Sequence, residues 1–176
     1  HQDPTGGFSG VWVLEVLCFT VFLRCAWHTV ALYAGTAWAT LGLPVLAVLV
    51  LHSASFTHGG SAEELILPLM AASLLGLVRV HRQGVLQAGS WRFFLLGGAF
   101  AGFAFLSKYS WLGFWLGGAA VVAGLLVQQR AWARLGAGLC WAALGVVLVV
   151  LPWLLYFGAH GAMHAFIEAY FSINLG

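Results

Sequence analysis

The sequence predicts an all-α, polytopic membrane protein, and three observations carry this prediction. Of the 176 residues, 62% are hydrophobic and only 7% are charged, whereas a soluble domain carries about a quarter charged residues. The apolar runs are long and unbroken, without the alternation of apolar and polar positions that a membrane β-strand shows. Nine Trp and 23 Gly residues add to this, because Trp favours the membrane interface and Gly is frequent in membrane helices.

The apolar runs predict about six membrane passes, since a helix needs about 20 mainly apolar residues to cross the hydrocarbon core. The predicted passes are Gly10–Tyr33, Thr36–Phe56, Ala62–Val80, Trp91–Ser107, Trp111–Gln128 and Leu135–Phe157. The last segment, Gly158–Leu175, is too polar to cross and is interpreted as an interfacial helix. Residues 1–176 are therefore expected to form a single transmembrane domain. The start without Met and the end without a polar tail are expected of a piece of a longer protein.

Small residues and prolines inside the runs predict how these helices pack. Gly98 and Gly102, and likewise Gly113 and Gly117, are spaced four residues apart, which lets two helices approach closely. The prolines inside the passes are expected to kink them.

Charge placement predicts the orientation of the passes. Under the positive-inside rule, the arginine-bearing ends are cytoplasmic, and the passes then alternate without conflict. The arginines are Arg24, Arg79, Arg82, Arg92, Arg130 and Arg134. The acids fall toward the opposite side and are Asp3, Glu15, Glu63, Glu64 and Glu168. Lys108 is the one basic residue on that outer side, where its chemistry is therefore of interest.

The adjacent acids Glu63 and Glu64 open the third predicted pass. A helix N-terminus favours an acid through its dipole, with Ser61 as a cap, and this explains one carboxylate. Two neighbouring side chains point about 100° apart on a helix, so at least one faces the protein interior or a water-filled cavity. A structural and a functional role for the pair both stay open.

Lys108 lies between two glycine-rich predicted passes, next to Ser107 and Tyr109. A lysine that extends to the headgroup level would explain its position. An outer-face ammonium flanked by hydroxyl groups is also a suitable point charge for a phosphate, and this is the interpretation that the sequence favours.

The remaining polar residues and cysteines within or beside the predicted passes are interpreted as follows. Glu15 is either a structural hydrogen-bonding residue or part of a polar cavity, and Arg24 with His28 is expected to extend toward the inner interface. His160, His164 and Glu168 form a stripe at four-residue spacing, which either belongs to an amphipathic helix or includes a metal pair. Cys18, Cys25 and Cys140 are interpreted as small hydrophobic side chains. A basic nucleic-acid patch and the motifs of soluble enzymes are absent, and no nucleic-acid partner is expected.

Three stretches of the sequence are distinctive: Gly59–Leu69 (GGSAEELILPL), Gly98–Tyr109 (GAFAGFAFLSKY) and Phe166–Asn174 (FIEAYFSIN). They resemble segments of the protein mannosyltransferase-like membrane glycosyltransferases (glycosyltransferase family 39), whose fold is of the polytopic GT-C type. The resemblance implies an enzyme of a bacterial plasma membrane whose active face is outward and whose donor is a polyprenyl-phosphate sugar. The acceptor would be a lipid, a glycan or a protein.

The resemblance also implies roles for particular residues. Lys108 would contact the phosphate of the donor, and Glu63 or Glu64 would line the cavity of sugar transfer. Tyr109 is expected to belong to the same substrate-binding set. The catalytic Asp of that family is expected before His1, so the catalytic residue of this chain is unknown and the segment alone is expected to be inactive. A divalent cation is the one cofactor left open. The alternative is a fragment of a transporter or flippase without enzymatic activity, in which Glu15, Glu63 and Lys108 line a translocation path.

Overall fold

The computed structural model of the chain describes residues 6–52, 62–83 and 90–175. All regular structure in these residues is helical, as the composition predicts. The helices are α1 (Gly6–Ala34), α2 (Thr36–Leu51), α3 (Ala62–Gln83), α4 (Ser90–Ser107), α5 (Leu112–Gln128), α6 (Trp132–Ala159) and α7 (Met163–Leu175), with a 3₁₀ turn at Tyr109–Trp111 before α5.

Among the described residues, four helical segments are long and apolar enough, by length and composition, to cross a membrane, which indicates a membrane protein. These segments are Gly10–Ala34, Glu64–Arg82, Tyr109–Gln128 and Trp132–Ala159. Two further predicted passes correspond to shorter apolar helices, Thr36–Leu51 and Trp91–Ser107. The predicted count of about six passes is therefore not confirmed. Residues 53–56 of the second predicted pass, with Asp3 and Ser61, lie outside the described residues.

The chain divides into two compact units, unit 1 at His1–Arg79 and unit 2 at Val80–Gly176. In unit 1, α1 and α2 form a helical hairpin through Gly35, whose φ of 87° is a conformation that glycine adopts without a steric penalty. The indole N–H of Trp27 in α1 donates to the Thr40 hydroxyl in α2 at 3.2 Å. Ala39 is buried at 3% exposure, so a small side chain lies where the hairpin closes.

In unit 2, α4 and α6 run parallel and pack closely. A Cβ added to Gly98 would overlap the Ala142 carbonyl, and one added to Gly145 would overlap the Leu95 carbonyl. One helical turn further along, a Cβ added to Gly102 would lie 3.2 Å from the backbone of Val146. Three successive close approaches along one seam show that the helices touch through their backbones.

The second glycine pair behaves differently. A Cβ at Gly113 or Gly117 of α5 would have no atom of the described residues within 4 Å. The buried residues of this helix are Trp115, Val122 and Leu126, on another face. The spacing that predicts helix packing at both pairs is confirmed by the contacts at Gly98 and Gly102, whereas no contact accompanies it at Gly113 and Gly117.

The end of the chain differs from the single interfacial helix predicted over Gly158–Leu175. Here α6 continues to Ala159, the chain turns at Gly161 with a φ of 65°, and α7 begins at Met163. The left-handed conformation at Gly161 is one that side-chain-bearing residues adopt at a cost. Sequence periodicity across residues 160–168 therefore does not correspond to one continuous helix.

Candidate functional site

Lys108 occupies the junction between α4 and the 3₁₀ turn. Its backbone is extended, with φ of −162° and ψ of 101°, so the residue ends α4 and redirects the chain. Its N–H still donates to the Ala104 carbonyl at 2.8 Å, and its carbonyl accepts from the Trp111 N–H at 3.1 Å. These two bonds anchor the backbone on both sides, while the Lys108 side chain is exposed.

Helix α7 packs against the same end of α4 through Tyr170. The Tyr170 hydroxyl donates a hydrogen bond to the Phe105 carbonyl, which belongs to the last turn of α4. The two rings also face each other, with centroids 5.6 Å apart. Phe105 precedes Lys108 by three residues, so this contact brings α7 to the helix end from which the lysine projects.

A row of aromatic rings links α6, α7 and α4, and we call it the aromatic row. Its most compact step is the stack of Phe157 in α6 on Phe166 in α7, with centroids 4.5 Å apart and planes 19° apart. Trp153 lies 6.5 Å from Phe157, and Tyr170 lies 6.1 Å from Phe166. The row, Trp153–Phe157–Phe166–Tyr170–Phe105, connects the last turns of α6 with the last turn of α4 through α7.

The electrostatics of this end are visible at Tyr170. Burial raises the pKa of the Tyr170 phenol above its ordinary value, and the charge of the neighbouring Tyr109 phenol, when ionised, raises it further. The two tyrosines are therefore near each other, Tyr109 from the 3₁₀ turn and Tyr170 from α7. Lys108, Tyr109 and Tyr170 together place an ammonium group and two phenols at one end of unit 2.

The His160–His164–Glu168 stripe is split by the turn before α7. His160 is the residue that caps the C-terminal end of α6. Its Nδ1 lies 2.7 Å from the Tyr156 carbonyl oxygen, and its ring centroid lies 4.4 Å from that of Tyr156. His164 lies in α7 and faces Glu168, with 3.7 Å between Nδ1 and Oε2. Within residues 6–52, 62–83 and 90–175, no group of three or more His, Cys, Asp or Glu side chains is arranged to hold a metal ion.

The predicted acidic pair lies in unit 1. Glu64 is buried in the first turn of α3, at 5% exposure, and lies near Cys18 of α1. Cys18 follows Glu15 by three residues on the same helix, and Glu15 is half-buried. A buried carboxylate in a membrane-length helix matches the expectation that one member of the pair faces inward. The Glu63 backbone is helical, and its side chain lies outside the described residues.

The other end of α1 carries the predicted basic pair. Arg24 is exposed and His28 is half-buried, and the His28 ring lies edge-on to the Trp27 ring with centroids 5.0 Å apart. Both residues therefore belong to the helical hairpin that α1 and α2 form in unit 1.

Of the four residues predicted to bind substrate, Lys108 and Tyr109 lie together in unit 2, and Glu63 and Glu64 lie in unit 1. Tyr170 was not among the residues predicted for the site. Its signal was the four-residue spacing from Phe166 on an aromatic face, which predicts a buried helix face without naming its partner.

The regular structure of the described residues is helical, and four of these helices are long and apolar enough to cross a membrane, so fold and composition indicate a helical membrane protein. Comparison with models of protein families, with curated proteins and with solved structures finds no match to this chain.

Proposed function

We propose that this chain is part of an integral-membrane glycosyltransferase that transfers a sugar from a polyprenyl-phosphate donor to an acceptor on the non-cytoplasmic face. The observation that carries the proposal is the Lys108 end of unit 2. There the exposed residue Lys108 precedes Tyr109, whose phenol lies near that of Tyr170, at the end of an aromatic row. A donor of this class has one phosphate for the cation and a long apolar chain for the aromatic surface.

In the proposed orientation, the Lys108 end of unit 2 lies on the non-cytoplasmic face of a bacterial plasma membrane. The proposed protein crosses that membrane about six times within this chain. Support comes from the parallel packing of α4 and α6. Arg92 and Lys108 are 16 residues apart along the chain, which is about 24 Å along a helix, so they lie near opposite ends of α4. Arg130 and Arg134 lie where α5 ends and α6 begins, which is the Arg92 end. Cations are thus concentrated at the end opposite to Lys108, as the positive-inside rule favours.

The proposed chemistry is a displacement at the anomeric carbon. The acceptor hydroxyl oxygen bonds to that carbon, the bond from carbon to the phosphate oxygen breaks, and polyprenyl phosphate leaves with the bonding electrons. A carboxylate takes the hydroxyl proton, and Lys108 lowers the energy of the phosphate leaving group by its charge. Glu63 and Glu64 are the acids proposed to line the transfer cavity, and the proton acceptor itself is not assigned to either of them.

The experiment is a transfer assay with the full-length protein in membranes and a labelled polyprenyl-phosphate sugar. Lys108→Ala is expected to lower transfer about 100-fold, the scale of losing one group that stabilises charge in a transition state. Glu64→Gln is also expected to lower transfer, with Arg24→Gln as a matched control that removes one cation elsewhere. Wild-type rates in both Lys108→Ala and Glu64→Gln would overturn the site assignment.

Burial of Glu64 in a membrane-length helix favours a second candidate, a transporter or flippase, because ionisable residues inside membranes commonly line translocation paths. The two candidates differ in product. A transporter moves the labelled lipid or sugar across proteoliposomes with no covalent product, whereas a transferase forms a new glycosidic bond and releases polyprenyl phosphate.

A further inference from the structure

The end of unit 2 where α4 and α6 begin is rich in arginine and tryptophan. Because α4 and α6 are parallel and α5 lies between them in sequence, the start of α4, the end of α5 and the start of α6 meet at this end. We call this region the arginine end, and it consists of Arg92, Arg130 and Arg134 with Trp91, Trp132 and Trp141.

The side chains at the arginine end face outward. All three arginines are exposed, and Trp132 at the start of α6 is 62% exposed. The Arg92 guanidinium carbon lies 5.3 Å from the centroid of the Trp91 ring, which in turn lies 5.2 Å from the Trp141 ring. The surface therefore combines exposed cations with indole rings, and the contact between Trp91 and Trp141 joins α4 to α6.

The charge of this end is strongly one-sided. From Val80 onward the sequence has one acidic residue, Glu168, and it lies in α7 and faces His164. The first turns of α4 and α6 contain no acid, although a helix N-terminus normally favours one. Arg92 and Arg134 stand there instead, so the side-chain charge adds to the positive ends of two helix dipoles.

Arg130 lies in the turn that ends α5. It is the one residue other than glycine with a positive φ in the described chain, at 53°, and its N–H donates to the Val127 carbonyl at 2.9 Å. A left-handed conformation costs a side-chain-bearing residue about 1 kcal/mol or more, and glycine would remove that cost. The N–H of Ala131 donates to the Leu126 carbonyl at 2.9 Å, so this conformation belongs to the turn that ends α5, at a position where glycine is the usual residue.

We propose that the arginine end is a binding site for the headgroup of an anionic phospholipid. Guanidinium groups match the geometry of a phosphodiester through paired N–H donors. The tryptophans fix the depth, because indole rings favour the headgroup level of a bilayer. The apolar helix α6 begins at this surface, so a lipid held by its headgroup would lay its acyl chains along that helix. The inference is independent of the proposed transferase activity.

The test uses full-length protein in nanodiscs of zwitterionic lipid and reads tryptophan fluorescence. Brominated phosphatidylglycerol is titrated in parallel with brominated phosphatidylcholine, a quencher of the same depth without net charge. The wild type is expected to be quenched at a lower fraction of the anionic lipid. Replacing the three arginines by Gln is expected to weaken that preference roughly 100-fold, given the contribution of each basic residue near anionic lipid. Arg24→Gln serves as the matched control and is expected to retain it.

A second variant separates binding from folding. Arg130→Gly relieves the positive φ, so we expect an unchanged or higher Tm together with weaker preference for the anionic quencher. Equal quenching of the wild type by both lipids would overturn the proposal. So would full displacement of the anionic lipid by inorganic phosphate, because the site would then hold a free ion. Unchanged preference in Arg130→Gly, together with unchanged preference in the triple variant, would also overturn it.

Discussion

Helices α4 and α5 carry the same glycine spacing and use it differently. Gly98 and Gly102 of α4 lie against the α6 backbone, so the absence of a Cβ is what permits the contact. Gly113 and Gly117 of α5 have no described atom within 4 Å of the position of a Cβ. The comparison shows that small-residue spacing gives a helix the capacity for close packing, and that the facing surface decides whether the capacity is used.

The seam between α4 and α6 also organises both ends of unit 2. It sets the last turn of α4 beside α7, where Lys108, Tyr109 and Tyr170 meet, and it aligns the helix starts that carry Arg92 and Arg134. If the seam is lost, both proposed surfaces lose their geometry.

The largest expected effect is at the seam. Gly145→Val is expected to destabilise the protein by at least about 3 kcal/mol, because the added side chain would overlap backbone of α4 that cannot move without separating the helices. Denaturation in detergent, followed by circular dichroism, measures the change. Gly117→Val in α5 is the matched control, and an equal loss of stability in the two variants would contradict the difference between the helices.

An intermediate loss of stability is expected where Tyr170 of α7 contacts Phe105 of α4. Tyr170→Phe removes the donor to the Phe105 carbonyl and keeps the ring contact, so a loss of about 1 kcal/mol is expected. Hydrogen exchange of α7 and limited proteolysis near Gly161 would report the loosening. Tyr156→Phe, on an exposed position of α6, is the control. Unchanged α7 protection in Tyr170→Phe would show that the hydrogen bond does not hold the helix.

Alanine substitutions are expected to change stability in opposite directions at the two glycine pairs. Gly117→Ala is expected to raise stability by up to about 1 kcal/mol, since alanine restricts the unfolded chain more than glycine does in a helix. Gly98→Ala is expected to lower stability, because its methyl group meets the Ala142 carbonyl. Thermal unfolding of the two variants side by side gives the comparison, and the same sign of change in both would contradict it.

The smallest effect is a pH dependence confined to alkaline solution. The folded pKa of Tyr170 is raised above its unfolded value of about 10. The protonated phenol therefore stabilises the fold fully below pH of about 10, and this contribution is lost as pH rises through the folded pKa. Tyrosinate absorbance should show one phenol titrating late in the wild type, and this late component should vanish in Tyr170→Phe. Identical titration curves would contradict the burial of this phenol.

Much of the fold follows from the sequence, because apolar length and helix-breaking residues are local properties. The starts of α2 and α3 and the ends of α4 and α5 match the predicted boundaries. A break between the last pass and the terminal helix is predicted at Phe157 and Gly158, and the structure places it a few residues later, at Gly161. The length of α2, 16 residues, likewise shows that an apolar run does not fix where a helix stops.

Of the candidate site, Lys108 and Tyr109 were predicted from the sequence and Tyr170 was not. Lys108 stood out because it departs from a charge pattern that the whole chain shares, and Tyr109 followed from its neighbourhood. Tyr170 lies 61 residues after Tyr109 along the chain, as the numbering shows, and only the packing of α7 on α4 brings the two together. Contacts between distant segments depend on tertiary structure, which no local spacing encodes.

The central claim is that the Lys108 end binds the lipid-linked phosphate, and photo-crosslinking tests it most directly. A polyprenyl-phosphate analogue with a photoreactive group near the phosphate is activated on the full-length protein in membranes, and the labelled peptides are mapped. We expect labelling in peptides that contain Lys108–Trp111 or Phe166–Tyr170, competed by unlabelled polyprenyl phosphate and reduced in Lys108→Ala. Labelling confined to the arginine end, or spread evenly over the apolar helices without competition, would contradict the claim.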